Sequence, residues 1–262
     1  MTEGYKVKIF TRSFDLRLYS RARGLWEGID CDAVVRLTDK SADGYFYAML
    51  ADTDCDIAIN IDEDAFICDT DAVNGLVRLL IGEGYANIGC ADAGEGLPRS
   101  GNPKVTNPFF NILNLRLIRS RFDRAALKAY DEHYEPYYPF FLWVADNFKT
   151  LYLPAGRHKD GITTVLYDPE GRILCKHSWY ARFYSMPGFI VRSIQKDQGM
   201  QRERIDALIR EVYASRGLGV EEYGFRRNCL FAADRTLRWM IKVPQRIVRW
   251  PSKIKRKLQK SR

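Results

Sequence analysis

Two carboxylates two residues apart, Asp62 and Asp64, directly follow the apolar run Ile57-Ala58-Ile59-Asn60-Ile61. In open α/β sheets ligands bind beyond the carboxyl ends of the strands, so acidic residues at such an end lie at the expected edge of a site. Hard carboxylate oxygens suit magnesium or manganese, which keep positions free for water and phosphate oxygens. The spacing alone is common: Asp52, Asp54 and Asp56 repeat it, as do Asp69 and Asp71, where solvated turns and helix caps are the ordinary explanation. A calcium loop competes for the same stretch, with Asp52, Asp54, Asp56, Asn60 and Glu63 at its positions 1, 3, 5, 9 and 12. Its sixth position needs glycine for a sharp turn. Ile57 stands there, and the run it opens alternates as a strand.

The elements around these carboxylates alternate. Lys6 to Phe10 predicts a strand, Leu16 to Trp26 a helix capped by Ser13 or Asp15 and ended by Gly28, Asp32 to Leu37 a strand, Gly44 to Ala51 a helix and Ile57 to Ile61 a third strand. A helix follows over Asp71 to Ile81, capped by Asp69 or Thr70. Strand-helix alternation implies a parallel sheet, here half of a doubly wound one. Gly89 to Pro108 reads as a long Gly, Pro and Asn loop, Phe109 to Leu117 as a strand and Ser120 to Tyr130 as a helix. Tyr134 to Trp143 is dense in aromatic residues and proline, and short strands are expected at 151–153, 163–167 and 172–176. A last helix spans Gln201 to Arg216.

Charge divides the chain. All 33 acidic residues precede Arg235, and 11 of the 41 Lys and Arg lie in 235–262, which leaves the body slightly acidic and the basic pI a property of that segment. Leu237, Met240, Ile241, Ile247, Val248, Ile254 and Leu258 recur there at helix-compatible spacings, interrupted by Pro244 and Pro251 and accompanied by Trp239 and Trp250. A basic amphipathic segment with tryptophan fits the headgroup layer of an anionic membrane; a solvated tail and a nucleic-acid arm are the alternatives, with nucleic acid disfavoured because the excess is not spread over a folded face. No apolar run approaches the length of a membrane span and no secretory leader is visible. Six scattered cysteines without a paired motif predict reduced core residues in a cytoplasmic protein, and the basic segment places it peripherally on the inner face of the plasma membrane.

Four features together resemble a bacterial GT-A glycosyltransferase of the capsule and lipopolysaccharide type. They are the first strand ending in Phe10-Thr11-Arg12-Ser13, the run INIDEDAFI, the Gly/Pro loop leading into NPFFNILNL, and a late His177-Ser178-Trp179-Tyr180-Ala181-Arg182. The likeness spans roughly residues 5 to 185. It implies an α/β fold with a mixed, Rossmann-like sheet flanked by helices. It also implies a catalytic domain over 1–234, with a nucleotide-sugar half to about 115 and an acceptor half from about 116, and a basic extension over 235–262. It further implies a divalent metal, manganese or magnesium, held by Asp62, Asp64 and His177, bridging the phosphates of a nucleotide-sugar whose sugar passes to a glycan or lipid-linked acceptor. A packed core or surface histidine is the other reading of His177.

Thr11, Arg12, Ser13, Asp39, Glu63 and Arg182 are the further donor-side candidates under that resemblance, with Lys176 adding charge near the phosphates; an exposed turn equally explains Asp39. The Glu-Asp pair that many inverting members carry is missing between Asn107 and His177, so Asp160 and Glu135 stand as the candidates for a catalytic base. A nucleotidyltransferase of related fold would share the sheet and the carboxylates, but FTRSFDL holds no phosphate-binding glycine. A docking protein acting through its basic segment is the non-enzymatic alternative.

Overall fold

The computed structural model describes residues 4–38, 41, 43–99, 101–130, 135–181, 184, 196–234, 236, 237 and 240. Strand β1 (Val7–Arg12), helix α1 (Leu16–Arg23), β2 (Ala33–Leu37), α2 (Gly44–Ala51), β3 (Ile57–Ile61), β4 (Ala65–Ile67) and α3 (Thr70–Gly82) form the first half of the chain. The second half comprises β5 (Asn87–Ala91), β6 (Thr106–Asn114), α4 (Leu115–Arg119), a 3-10 helix (Arg124–Tyr130), α5 (Tyr138–Asn147), β7 (Thr150–Leu153), β8 (Ala155–Arg157), β9 (Thr164–Tyr167), β10 (Ile173–His177) and α6 (Lys196–Ser215). The caps follow the sequence signals: Asp15 accepts from the Leu18 N–H and Asp69 from the Ala72 N–H, each satisfying a free donor of the first turn.

Six strands make the main sheet in the order β2-β1-β3-β6-β5-β7. The pairs β1 with β2, β1 with β3 and β5 with β7 are parallel, whereas β6 runs antiparallel to both its neighbours. The α/β class and the mixed sheet flanked by helices are therefore present: the parallel pairing expected from strand-helix alternation holds for β1, β2 and β3, and β6 supplies the antiparallel member. A second, antiparallel sheet of order β4-β10-β9-β8 stands beside it.

Strand alternation sends side chains to both faces of the main sheet, and both faces are covered. Ile9, Ile57, Ile59, Ile61, Ile88 and Ile112 pack on one face against α1, α3, α6 and the second sheet. On the other, Phe10, Ala58 and Leu113 meet Tyr45, Phe46 and Met49 of α2 and the aromatic residues Tyr138 to Trp143 of α5. The aromatic stretch thus builds a core layer, with Phe46 stacked on Phe140 at 5.3 Å.

Several expectations are corrected. The stretch 89–108 is not all loop, because β5 runs to Ala91 and β6 begins at Thr106. Gly89 has a sheet reason rather than a loop reason: a Cβ there would lie 2.5 Å from Asn111 Nδ2 and 2.9 Å from the Phe110 carbonyl. The predicted strand to Leu117 stops at Asn114, whose side chain accepts from the Leu117 N–H and starts α4. The predicted helix over 120–130 is a 3-10 segment from Arg124, and α1 ends early at the Gly24 cap. All six cysteines are free; Cys229 is exposed, against the expectation of a core position. Among the described residues no helix is long and apolar enough to cross a membrane.

Candidate metal and phosphate site

The carboxyl ends of β1 and β3 lie side by side, since Phe10 pairs with Asn60. A tight turn beyond β3, in which the Ala65 N–H donates to the Asp62 carbonyl at 3.0 Å, presents Asp62 and Asp64 and returns the chain as β4. Strand β10 pairs with β4 in a register that sets His177 opposite Ala65, which is why a histidine more than a hundred residues away reaches these carboxylates. One ligand atom from each of Asp62, Asp64 and His177 lies within 4.8 Å of the others. His177 Nε2 stands 3.3 Å from Asp64 Oδ1, and the Ser178 hydroxyl donates to Asp64 Oδ2 at 3.3 Å.

Asp64 and His177 are buried, while Asp62 is half-buried. Burial pushes the Asp62 carboxyl up to about 6, with Arg12 opposing and Asp64 reinforcing the rise. Burial acts on Asp64 as well, but the facing imidazole of His177 and the Ser178 hydroxyl outweigh it and hold this carboxyl below its usual range. Asp62 Oδ1 and His177 Nδ1 are both buried without a hydrogen-bond partner among the described residues. Buried polar atoms are ordinarily satisfied, so this pair, in a set of two carboxylates and one imidazole, fits a divalent cation.

The His177 ring is fixed by its neighbours. Phe109 of β6 stacks on it at 4.4 Å and 13°, and Trp179 covers it at 4.5 Å. Trp179 and Tyr180 both adopt left-handed backbone, with φ of 59° and 60°, a strained choice for aromatic residues that the surroundings must enforce. Arg204 of α6 does so, donating to the Ser178 carbonyl at 2.6 Å and the Trp179 carbonyl at 3.3 Å, while the Trp179 indole donates to Thr164 Oγ1 at 2.8 Å.

The other sequence candidates fall in distinct places. Arg12 lies beside Asp62, its guanidinium 5.3 Å from the ring centre of Tyr45, and provides a cation at the cluster. Ser13 accepts from Arg36 Nε at 2.9 Å, and Thr11 is buried with its hydroxyl unpartnered among the described residues. Glu63 turns away from the cluster and accepts from the Phe14 and Asp15 N–H groups at 3.0 and 2.9 Å; burial pushes it up to about 8 against the pull of those donors. Lys176 is corrected outright, because its ammonium pairs with Glu211 at 2.5 Å on the far side of β10 from His177. Asp39 and Arg182 lie outside the described residues, as does the segment from 241 onward.

The calcium-loop candidates are separated as well: Asp52 pairs with Lys8, Asp56 accepts from the Lys6 N–H, and Asn60 is buried in β3.

Neither base candidate is a free carboxylate. Asp160 accepts from the Ile162 and Thr163 N–H groups, the Thr163 hydroxyl and Arg204 Nη1, and these donors outweigh burial and hold it well below the usual range. A carboxylate stabilised that strongly is a poor proton acceptor. Its task in this fold is to orient Arg204, and through it the segment after His177. Glu135 pairs with Arg99 at 3.0 Å.

Arg99 belongs to a cluster that sequence reading missed. Buried Asp92, just beyond β5, accepts from Arg99 at 3.2 Å, from Tyr137 at 3.0 Å, from Tyr138 at 2.7 Å and from Asn107. Arg99 in turn stands 5.5 Å from the ring centre of Trp179, which brings a second fixed cation to the His177 side of the site. The rule that singles out Asp62, an acidic residue closing an apolar strand, applies equally to Asp92, which the Gly and Pro content of 89–108 conceals.

No protein-family model and no curated protein matches the chain. Among solved structures the fold is similar to A197 from STIV, at 13% identity and a TM-score of 0.37, covering 64% of this chain and 93% of that one. It is also similar to a glycosyltransferase involved in the glycosylation of the major capsid of PBCV-1, at 10% identity and a TM-score of 0.33, covering 53% of this chain and 74% of that one.

Proposed function

We propose that this protein is a metal-dependent glycosyltransferase that moves a sugar from a nucleotide-sugar to a glycan or lipid-linked acceptor of the cell surface. The observation that carries the reading is the Asp62, Asp64 and His177 cluster, with two buried polar atoms left unpartnered among the described residues, at the strand ends where Arg12 adds a cation. Asp62, Asp64 and His177 would hold manganese or magnesium, which neutralises charge growing on a nucleoside diphosphate leaving group.

The chain's own groups then have defined tasks. Arg12, held over Tyr45, supplies a fixed positive charge for a phosphate oxygen next to Asp62. Phe109 and Trp179 hold the imidazole plane, and Arg204, oriented by Asp160, locks the strained turn that carries Trp179. Arg99, neutralised in part by Asp92 and Glu135, is the second cation for the diphosphate or for the acceptor. A departing diphosphate needs no proton when cations meet its charge; the proton of the acceptor hydroxyl is a separate matter, and neither Asp160 nor Glu135 is a free base for it.

The test is a thermal-shift panel of nucleoside diphosphates and nucleotide-sugars with manganese, magnesium or chelator. Stabilisation by one nucleoside diphosphate only when metal is present supports the reading. Metal-independent stabilisation, or stabilisation by nucleoside triphosphates alone, would shift it to the nucleotidyltransferase alternative.

A further inference from the structure

Residues 225–234 are helical, as are 236, 237 and 240, and among the described residues this stretch is covered on one side only. Arg227 and Phe231, one turn apart, both rest on Tyr223, at 4.8 and 4.9 Å between centres, and Tyr223 rests on Arg21 of α1 at 4.6 Å. At 100° per residue, Phe225, Cys229, Leu230, Ala233, Leu237 and Met240 all fall within an arc of about 140° on the side away from that contact. They are exposed: Phe225 by 84%, Leu230 by 63%, Leu237 by 57% and Met240 by 51%. A helix with an outward apolar arc and a docked inner side is built to meet a second apolar medium.

The occupant is identified by charge. The 28 residues from Arg235 carry eleven Lys and Arg and no Asp or Glu, together with Trp239 and Trp250. Arg226 lies within the arc itself, where a long stem can lie along an apolar surface while its charge reaches a headgroup. Apolar residues to enter the acyl boundary, cations for phosphates and tryptophans for the interface together fit a bilayer with anionic headgroups better than a protein groove. We propose that the helix beginning at Phe225 is an interfacial anchor that docks the protein on an anionic membrane surface, with its apolar arc as the part that enters the lipid and the basic segment as the part that selects negative charge. This places the start of the membrane surface ten residues before the basic segment that sequence alone singled out. The inference does not depend on the sugar-transfer reading.

Two variants of the full chain separate the parts. Leu230→Glu with Leu237→Glu leaves every cation in place and alters only exposed positions; a chain ending at Met240 keeps the arc and removes most of the cations. With phosphatidylcholine vesicles containing about 30 mol % phosphatidylserine, the wild type should sediment, and should do so far less on phosphatidylcholine alone. The double Glu variant should bind about 100-fold more weakly at a thermal stability equal to wild type, since each leucine transferred from water contributes roughly tenfold. The shortened chain should retain weak binding that falls less steeply as salt rises, since Arg226, Arg227, Arg235 and Arg238 remain. Undiminished vesicle binding by the double variant would overturn the anchor. So would tighter binding to RNA than to vesicles at matched salt, or a concentration-dependent dimer that the double variant abolishes in the absence of any lipid binding.

Discussion

Replacing Asp64 with asparagine should separate ligand binding from folding. The ligand atoms of Asp62, Asp64 and His177 lie within 4.8 Å of one another. At that separation two ionised carboxylates repel by about 3.5 kcal/mol at an effective dielectric of 20, a term that His177 and Arg12 partly offset. Asparagine removes the repulsion but also the charge that His177 attracts, and keeps a side-chain oxygen to accept from Ser178, so the metal-free variant should lose no more than about 1–3 kcal/mol. Its ligand response should collapse. At a hundredfold excess over its dissociation constant, a nucleoside diphosphate with manganese stabilises the wild type by about 2.7 kcal/mol. For a chain of this size that is a rise of about 5–11 °C in Tm. Loss of a coordinating carboxylate should weaken binding at least as much as loss of an outer partner, up to about a hundredfold. At the same concentrations the variant then gains only about 0.4 kcal/mol, or roughly 1 °C. Scanning fluorimetry with manganese, and with chelator in its place, reads both quantities. A variant that shifts as far as wild type would refute the metal assignment. One that is several kcal/mol less stable without metal would instead make Asp64 an anchor for the 177–178 segment.

Asp160→Asn should lower stability by about 1–3 kcal/mol by weakening the hold on Arg204, and the activity remaining per folded molecule should keep the pH profile of wild type; a loss of turnover above tenfold without a stability change would restore Asp160 as a base. The hydrogen bond from Lys176, with a second from His158, holds the Glu211 carboxyl down at about 2, against burial. A depressed carboxyl contributes stability that is fully present above about 4.5 and is lost as pH falls towards 2, so Glu211→Gln should have a lower Tm than wild type at pH 7, and the gap should close on titration from pH 5 to 2. A gap that is unchanged across that range would discard the ion pair as its source. At Gly101, a Cβ would lie 2.0 Å from the Asp92 carbonyl oxygen and 2.7 Å from Asp92 Oδ2. Gly101→Ala should therefore cost about 1–3 kcal/mol in urea titration and disturb the Arg99 cluster; a neutral result would mean that the loop yields freely.

Much of this protein is legible one segment at a time. The strand at Ile57–Ile61, the helix at Gly44–Ala51 and the caps Asp15 and Asp69 follow from period, β-branched composition and local hydrogen bonding, which involve residues only a few positions apart. Asp62 and Asp64 were visible for the same reason, since an acidic pair closing a buried strand is a local pattern. The rest depends on pairings between distant segments. Strand β5 was hidden because its glycine is dictated by the close approach of β6, and β6 opposes its neighbours because of a chain path that no local period encodes. Glu63 and Lys176 sit beside the candidate ligands in sequence yet point elsewhere, because alternate side chains leave a strand or turn on opposite sides. Asp160 looked available until the fold surrounded it with four donors. The register of β10 against β4 brings His177 to Asp64, and the packing of α6 sets Arg204 behind the strained turn. Residue chemistry singled out Asp62 and Asp64 as candidate metal ligands and the family resemblance added His177; only tertiary structure decided which neighbours reach them, because a hydrogen bond or an ion pair is set by angstroms in space and not by distance along the chain.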